Sequence, residues 1–361
     1  MKNKITAFTF IAFITAIFAL SIFTKDVEFS AEEKRKLTQI TIPTIETITD
    51  GTWFGSFENY SNDQFPLRSQ MLYIDAWFRT FILNQKDIDG IFTENGYIFK
   101  SDYPTREDNV LRFAEKMNAV YEEYIKGKAD NYYVSVIPDK TYYSSDNNLV
   151  TDALEISQKF YNNLTDAQYI DIFGALSLES YYKTDTHWSQ DKLFDVMDVF
   201  ASEMGFAKLD ETQYNKLTLS NFYGVYSSQS ALINQAEDLV YLESEYTLSA
   251  TVDNLENPNF TEVYNLAEFN SEDGYNVFLD GATALTVITS PNATTDKELI
   301  IFRDSFGSSI APLFLESYKT VTLVDLRYFS TEMLDEYIDF EGKDVLILYS
   351  SLILNSNIVF R

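Results

Sequence analysis

Residues 183–190, KTDTHWSQ, contain His187, the only histidine of the chain, two positions after Asp185. At the end of an extended segment, an Asp-x-His spacing points both side chains the same way. The carboxylate can then orient the imidazole and hold the tautomer that a general base needs. The alternative is a structural histidine packed beside Trp188. This short motif alone leaves both interpretations open.

A second candidate is Ser305, in the stretch IIFRDSFGSSIAPLF at 300–314. The pattern predicts a strand that ends near Arg303 and a helix that begins within a few residues. The Ser305 hydroxyl would then lie at the carboxyl edge of a sheet, beside free backbone N–H groups that could stabilise an oxyanion. The arrangement resembles a nucleophile elbow, although only Gly307 fits the G-x-S-x-G pattern. The alternative is that one of the local serines merely caps the helix: Ser305, Ser308 or Ser309.

Together the two segments predict a triad of nucleophile Ser305, base His187 and orienting Asp185. Because the chain has one histidine and no cysteine, a conventional activated hydroxyl nucleophile must use His187 or not exist. The same composition excludes a disulfide framework, a thiolate zinc site, a cysteine nucleophile and a histidine-rich metal site. No metal or cofactor is expected.

Hydrophobic patterning predicts the elements that position these side chains. Short apolar runs alternate with amphipathic helices, which favours an α/β fold with a mostly parallel sheet, helices on both faces and ligands at the carboxyl ends of the strands. The dipeptide Asn95–Gly96 predicts a hairpin within 90–102. Residues 206–297 are mixed, acidic and strand-tending, as in an insertion or lid. Strands are predicted at 132–138, 169–173, 298–304, 320–326 and 344–350, and helices at 106–126, 151–164, 189–204, 308–317 and 331–339.

The N-terminal region carries an uncharged apolar run at 5–24, preceded by Lys2 and Lys4. As a helix rising ~1.5 Å per residue it spans a ~30 Å hydrocarbon layer. The lysines favour a cytoplasmic N-terminus with the remaining chain outside. We therefore predict an anchored, extracytoplasmic protein, with a cleaved signal peptide and a secreted product as the alternative. The expected organisation is an anchor at 1–25, a juxtamembrane linker at 26–53 and the α/β domain at 54–361.

The formal net charge of −28 argues against a nucleic-acid partner, because a phosphate backbone would be repelled. Neutral sugars and cationic small molecules are not excluded.

Several stretches in chain order resemble the DHHW family, whose members are similar to the SGNH-hydrolase-like domains of the alginate O-acetyltransferase group. They span nearly all of the predicted domain: FENYSNDQFPLRSQ (57–70), IPDKTYY (137–143), YYKTDTHWSQ (181–190), NFYGVYS (221–227), YNVFLDG (275–281), IIFRDSFGSSIAPLF (300–314) and VTLVDLRYF (321–329).

This resemblance implies an SGNH-like fold with permuted motif order and a catalytic set of Ser305, His187 and Asp185. It also implies work on O-acetyl groups of an exopolysaccharide or cell-wall glycan, often alongside a membrane-bound O-acyltransferase. The chain departs from the family where the first of two adjacent histidines is Thr186. It departs again at Asp280–Gly281, where the family often has two glycines, so an oxyanion donor from that loop is left open.

Candidate substrate contacts are Arg327, Tyr182, Trp188 and Gly281. Arg327 could instead pair with an acid of this acidic chain, and Tyr182 could be a packing residue. The leading hypothesis is a serine-dependent O-acetyltransferase or acetylesterase. The alternative is a catalytically inactive glycan-binding or assembly protein with the same fold.

Overall fold

The computed structural model describes residues 2–30, 35–85, 87–88, 90–145, 150–229, 235–271, 273–358 and 360. The chain divides into two compact units, Met1–Ile88 with Ser227–Asn234, and Asp89–Tyr226 with Gln235–Arg361. Residues 54–88, which the sequence assigns to the α/β domain, belong to the first unit.

In the first unit, helix α1 contains a stretch, Lys4–Ser21, that is long and apolar enough to cross a membrane. Residues 31–34 of the predicted linker lie outside the described residues. The elements of this unit are α1 (Lys2–Phe23), an antiparallel pair β1 (Phe29–Ser30) and β2 (Arg35–Lys36), α2 (Ile45–Thr49), α3 (Thr52–Asp63), α4 (Arg68–Trp77) and a π-helical turn Phe78–Ile82.

The second unit contains strands and helices at or near the positions that the βαβ pattern predicts, several of them shorter than predicted. Its strands are β3 (Ile91–Glu94), β4 (Tyr97–Lys100), β5 (Asn131–Ile137), β6 (Gln168–Tyr169), β7 (Asn215–Phe222), β8 (Glu237–Glu243), β9 (Thr251–Asn254), β10 (Leu285–Thr289), β11 (Glu298–Arg303), β12 (Thr320–Val324) and β13 (Asp344–Ser350). Its α-helices are α5 (Glu107–Val120, extended by a π-helical turn Tyr121–Ile125), α6 (Ala153–Tyr161), α7 (Phe194–Met204), α8 (Glu245–Ser249), α9 (Phe306–Ile310), α10 (Leu334–Tyr337) and α11 (Ser351–Asn355).

Seven strands of the described chain form one sheet in the order β6-β5-β13-β11-β12-β10-β9. Neighbours from β6 to β12 are parallel, and β10 is antiparallel to both β12 and β9. The predicted mostly parallel α/β fold is thus confirmed. Strands β9 and β10 come from residues 206–297, so part of the region predicted to be an insertion or lid completes the sheet itself.

Side chains that alternate along the central strands enter two separate cores, because successive residues of a strand point to opposite faces. On β11, Leu299 and Ile301 join the core with α7, whereas Ile300 and Phe302 join the core with α5 and α6. Burial on both faces explains why β11 and β13 read as nearly continuous apolar runs.

Local predictions were partly confirmed. Asn95 and Gly96 both have positive φ, as the predicted tight hairpin between β3 and β4 requires. The strand predicted at 169–173 is only two residues long, because the Asp171 side chain accepts from the Phe173 N–H and bends the chain. The helix predicted at 308–317 begins earlier and continues after Ile310 as a 3₁₀ turn containing Pro312, which has no N–H for an α-helical bond.

Candidate active site

Ser305 lies two residues after the end of β11, at the carboxyl edge of the sheet. The preceding side chain fixes this turn: Asp304 Oδ1 accepts from the Phe306 N–H at 3.0 Å and Oδ2 from the Ser350 N–H at 2.8 Å, at the end of β13. Ser305 makes no side-chain capping bond to α9. The Ser305 hydroxyl therefore faces the cavity and contacts His187.

The imidazole of His187 joins Ser305 to Asp185. The Ser305 hydroxyl lies 2.7 Å from Nε2, and Nδ1 lies 2.6 Å from Asp185 Oδ1. In the tautomer that satisfies both contacts, Nδ1–H donates to the carboxylate and Nε2 accepts from the hydroxyl. The structure thus brings together the three side chains that the sequence nominated, in the order a general base and its nucleophile require.

The segment that carries Asp185 and His187 is a turn, so the expectation of an extended segment is wrong. Asp185 Oδ1 also accepts from the His187 backbone N–H at 2.9 Å, which folds the two residues onto one carboxylate. This local bond, rather than strand alternation, points both side chains the same way.

Asp185 is fully buried and its second carboxylate oxygen accepts from the Val225 N–H at 2.7 Å. Burial alone would raise the pKa of the carboxyl, but the charge of His187 and the hydrogen bonds from His187 and Val225 lower it below the ordinary value. The carboxylate therefore stays ionised. Gly224 lies against this side chain so closely that an added Cβ would be 2.3 Å from Asp185 Cβ, which only glycine accommodates.

Two aromatic rings pack against the His187 imidazole and fix its orientation. Tyr275 stacks on His187 with ring centroids 3.8 Å apart and an interplanar angle of 5°, and Phe306 contacts it at 4.7 Å. The Tyr275 hydroxyl donates to Ser309 Oγ at 2.7 Å, which fixes the ring. Tyr275 is not among the site residues that the sequence predicts, and its only sequence signal is its place in the stretch YNVFLDG.

The four candidate substrate contacts separate into two pairs. Trp188 is fully buried and donates to Ser309 Oγ at 2.9 Å, and Tyr182 is buried against Tyr275 and Phe222, so neither ring lines the cavity. Arg327 and Gly281 do line it. Arg327 is nevertheless paired with Asp325 through Nη2 at 2.6 Å and Nε at 2.9 Å, as the alternative interpretation expected.

Ser305 and His187 open into a cavity of about 530 Å³, which is also lined by Asn276, Gly281, Arg327 and Tyr328. Two of the N–H groups expected to be free at the start of α9 are not free. Phe306 N–H is bound by the Asp304 carboxylate, and Gly307 N–H donates to the Asp304 carbonyl at 3.0 Å.

In the loop at Asp280–Gly281, the Gly281 N–H is also in use, because it donates to the Phe278 carbonyl at 3.0 Å. The Gly281 carbonyl accepts from Ser308 Oγ at 3.1 Å and from Arg303 Nη2 at 3.4 Å. The Asn276 side chain packs against the Cα of Gly281. The Asn276 side-chain amide therefore lines the cavity beside this loop.

Comparisons with known proteins agree with this architecture. The model of the DHHW protein family matches residues 119–324, more than half of the chain. The chain belongs to the DHHW family. No curated protein sequence matches it. In this DHHW protein the motif that gives the family its name reads Asp185-Thr186-His187-Trp188.

Solved structures share the fold of this DHHW protein at low sequence identity. A DHHW family protein from Eubacterium siraeum matches with a TM-score of 0.63 and 18% identity, covering 75% of this chain and 94% of that one. Bacillus cereus PatB1 matches with a TM-score of 0.56 and 18% identity, covering 75% and 99%. PatB1 has also been solved with a sulfonyl adduct. Such identities establish a common fold alone.

Proposed function

We propose that this protein is a serine-dependent enzyme that transfers or removes acetyl esters on an extracytoplasmic glycan. The observation that carries the proposal is the hydrogen-bonded chain Asp185–His187–Ser305, with contacts of 2.6 and 2.7 Å, which ends at a hydroxyl facing an open cavity. The family resemblance supports acetyl esters of an exopolysaccharide or cell-wall glycan as the substrate class.

In the first half-reaction, Ser305 Oγ attacks the carbonyl carbon of the donor acetyl ester while His187 Nε2 takes the hydroxyl proton. The tetrahedral intermediate collapses, His187 gives the proton to the departing alcohol oxygen, and the acetyl group stays on Ser305. In the second half-reaction, His187 takes a proton from the attacking hydroxyl, and Ser305 leaves with that proton. A sugar hydroxyl as attacker makes a transferase, and water makes an esterase.

The oxyanion of each intermediate needs hydrogen-bond donors that are fixed before the reaction. We assign this role to the Ser305 N–H, which donates to no other described residue, and to the Asn276 side-chain amide, which lines the cavity. Asn276 is not among the site residues that the sequence predicts, and its only sequence signal is its place in the stretch YNVFLDG.

The cavity favours an uncharged acceptor. Its lining includes the carboxylates of Glu256, Asp273 and Asp280, whereas its lining cation, Arg327, is already paired with Asp325. An anionic uronate would be repelled by this lining and by the net charge of −28. Tyr328, 46% exposed at the cavity, offers a ring on which a neutral pyranose can stack.

Hydrolysis of p-nitrophenyl acetate by the full-length protein in detergent tests the proposal, together with intact-mass detection of an acetyl group on the protein. Ser305→Ala and His187→Ala should each lose both signals, and phenylmethylsulfonyl fluoride should label wild type but not Ser305→Ala. Ser249→Ala, a serine on α8 outside the cavity lining, is the matched control. Equal activity in all four proteins would refute the triad and favour the inactive glycan-binding alternative.

The choice of acceptor is tested by the same enzyme, loaded with acetyl and offered oligosaccharides of equal length. Acetyl transfer to cellopentaose or chitopentaose should exceed transfer to pentagalacturonate, and the difference should shrink at high salt. Equal transfer to the anionic acceptor would contradict the electrostatic argument.

A further inference from the structure

Lys140 is a fully buried lysine that the proposed chemistry does not use. Its ammonium donates to three backbone carbonyls of one short segment: Asp185 at 2.6 Å, Tyr182 at 3.0 Å and Lys183 at 3.3 Å. An ammonium has three N–H donors, so this segment uses all of them. The backbone carbonyls of Tyr182, Lys183 and Asp185 thus surround the ammonium as they would surround a bound cation.

Two aromatic rings also lie near the ammonium. The centroid of Tyr226 lies 5.0 Å and that of Phe99 lies 5.6 Å from Nζ. Among the described residues, no carboxylate forms an ion pair with Lys140. The hydrogen bonds of this buried ammonium are therefore made with carbonyl groups of the segment that carries Asp185.

The N–H groups of the same segment point to a charge of the opposite sign. Glu237, at the start of β8, accepts from the Lys183 N–H at 2.8 Å and from the Thr184 N–H at 2.7 Å. It also accepts from the Thr184 hydroxyl at 2.6 Å. The Lys140 cation thus lies on the carbonyl side of these peptide groups, and the Glu237 anion lies on their N–H side. Together the two charges favour a single orientation of the peptide groups.

We propose that Lys140 and Glu237 form a charge clamp that positions the Asp185–His187 turn for the reaction at Ser305. This inference rests on the proposed function. Neither residue lines the cavity, so both act through Asp185 and are positioning residues. Without the clamp, the Asp185 carboxylate can drift from Nδ1 of His187, and a displacement near 1 Å is enough to cost about 10²-fold in rate.

The charged groups that face Lys140 set its pH dependence. Burial lowers the pKa of Lys140 to about 8, opposed by the charges of Asp139, Asp185 and Glu237, which raise it. The clamp is therefore complete at neutral pH and loses its cation as the pH rises above about 8. Replacing Glu237 by glutamine removes one of the raising charges, so the loss should occur at a lower pH.

The experiment compares Lys140→Met, Lys140→Arg and Glu237→Gln in the full-length protein, with Lys126→Met as the matched control. Lys126 forms an exposed ion pair with Glu122, away from the site. Hydrolysis of p-nitrophenyl acetate gives kcat and KM, and ¹⁵N-histidine NMR reads the single imidazole of the chain. The pH profile of kcat is recorded for wild type and Glu237→Gln.

We expect Lys140→Met to lower kcat by about 10²-fold with little change in KM, and to remove the downfield proton of the Nδ1–H to Asp185 bond. Glu237→Gln should lower kcat by about tenfold and move the alkaline fall of kcat to lower pH. Lys140→Arg should remain impaired, because a planar guanidinium does not reproduce three converging bonds from one point. Lys126→Met should match wild type.

A structural role alone would reduce stability while leaving kcat per folded molecule and the alkaline limb unchanged, and that result overturns the clamp. If Lys140→Met does not fold, Glu237→Gln still decides through its pH profile and NMR signal. Failure of the proposed function is a separate outcome, in which Ser305→Ala and His187→Ala keep full activity. In that case too, the clamp is refuted if the Nδ1 proton signal of His187 persists in both Lys140→Met and Glu237→Gln.

Discussion

Replacing Asp185 by asparagine tests the orientation of the base most directly. Asp185 Oδ1 accepts from the His187 N–H and Nδ1–H, and Oδ2 accepts from the Val225 N–H. An amide supplies one oxygen and one NH₂. In either orientation, the NH₂ faces at least one backbone N–H that the carboxylate now satisfies.

The orientation that keeps the Val225 bond turns the NH₂ toward Nδ1, which then must accept. The proton moves to Nε2, and His187 can no longer take the Ser305 proton. We expect kcat to fall by roughly 10³–10⁴-fold, as loss of the correct tautomer does in serine hydrolases, which corresponds to about 4–5.5 kcal/mol of the barrier. The unsatisfied backbone donor should also lower the free energy of unfolding by about 1–3 kcal/mol.

The assay combines p-nitrophenyl acetate hydrolysis with ¹⁵N-histidine NMR. Because His187 is the only histidine, the spectrum reports one imidazole without assignment. Wild type should show Nδ1 protonated and Asp185→Asn should show Nε2 protonated. Activity within about tenfold of wild type, or an unchanged tautomer, would refute the reasoning.

The same variant tests an acid dependence. The folded pKa of Asp185 lies below its ordinary value of 3.8. Its ionised form therefore stabilises the fold above about pH 4, and this stabilisation is lost as the pH falls toward the lower folded value. Denaturant unfolding across pH should show this loss in wild type and not in Asp185→Asn. Identical pH curves would contradict it.

Two further substitutions probe the surroundings of the triad. Gly224→Ala places a Cβ 2.3 Å from Asp185 Cβ and from the Thr184 carbonyl, so we expect about 1–3 kcal/mol of destabilisation and a lower kcat, measured by denaturant unfolding and ester hydrolysis. Gly174→Ala, where an added Cβ meets nothing within 4 Å, is the control, and equal effects of both would contradict the steric argument. Tyr328→Ala should raise KM for a neutral glycan acceptor by roughly tenfold, about 1.4 kcal/mol. Tyr337 is an exposed tyrosine outside the cavity lining, so Tyr337→Ala should leave this KM unchanged. An unchanged KM for Tyr328→Ala would show that the Tyr328 ring does not bind the acceptor.

The sequence by itself determined the composition of the site and the type of fold. Because the chain has one histidine and no cysteine, a conventional activated hydroxyl nucleophile must use His187 or not exist. Periodicity identified the βαβ succession, because strands buried on both faces must be apolar throughout and helices must carry one apolar face. It also placed Ser305 after a strand, and parallel strands present such positions at one edge.

Tertiary structure decided which distant groups complete the site. Tyr275 stacks on the imidazole, Glu237 binds the N–H groups of the Asp185 segment, and Lys140 binds its carbonyls. These contacts join positions far apart in the chain, and no local periodicity encodes them. The two aromatic residues among the candidate substrate contacts, Tyr182 and Trp188, lie in the core because each has apolar partners and, for Trp188, an internal acceptor. A single sequence does not show which of many aromatic residues are buried. Their burial in the structure distinguishes the packing residues from those that face the cavity.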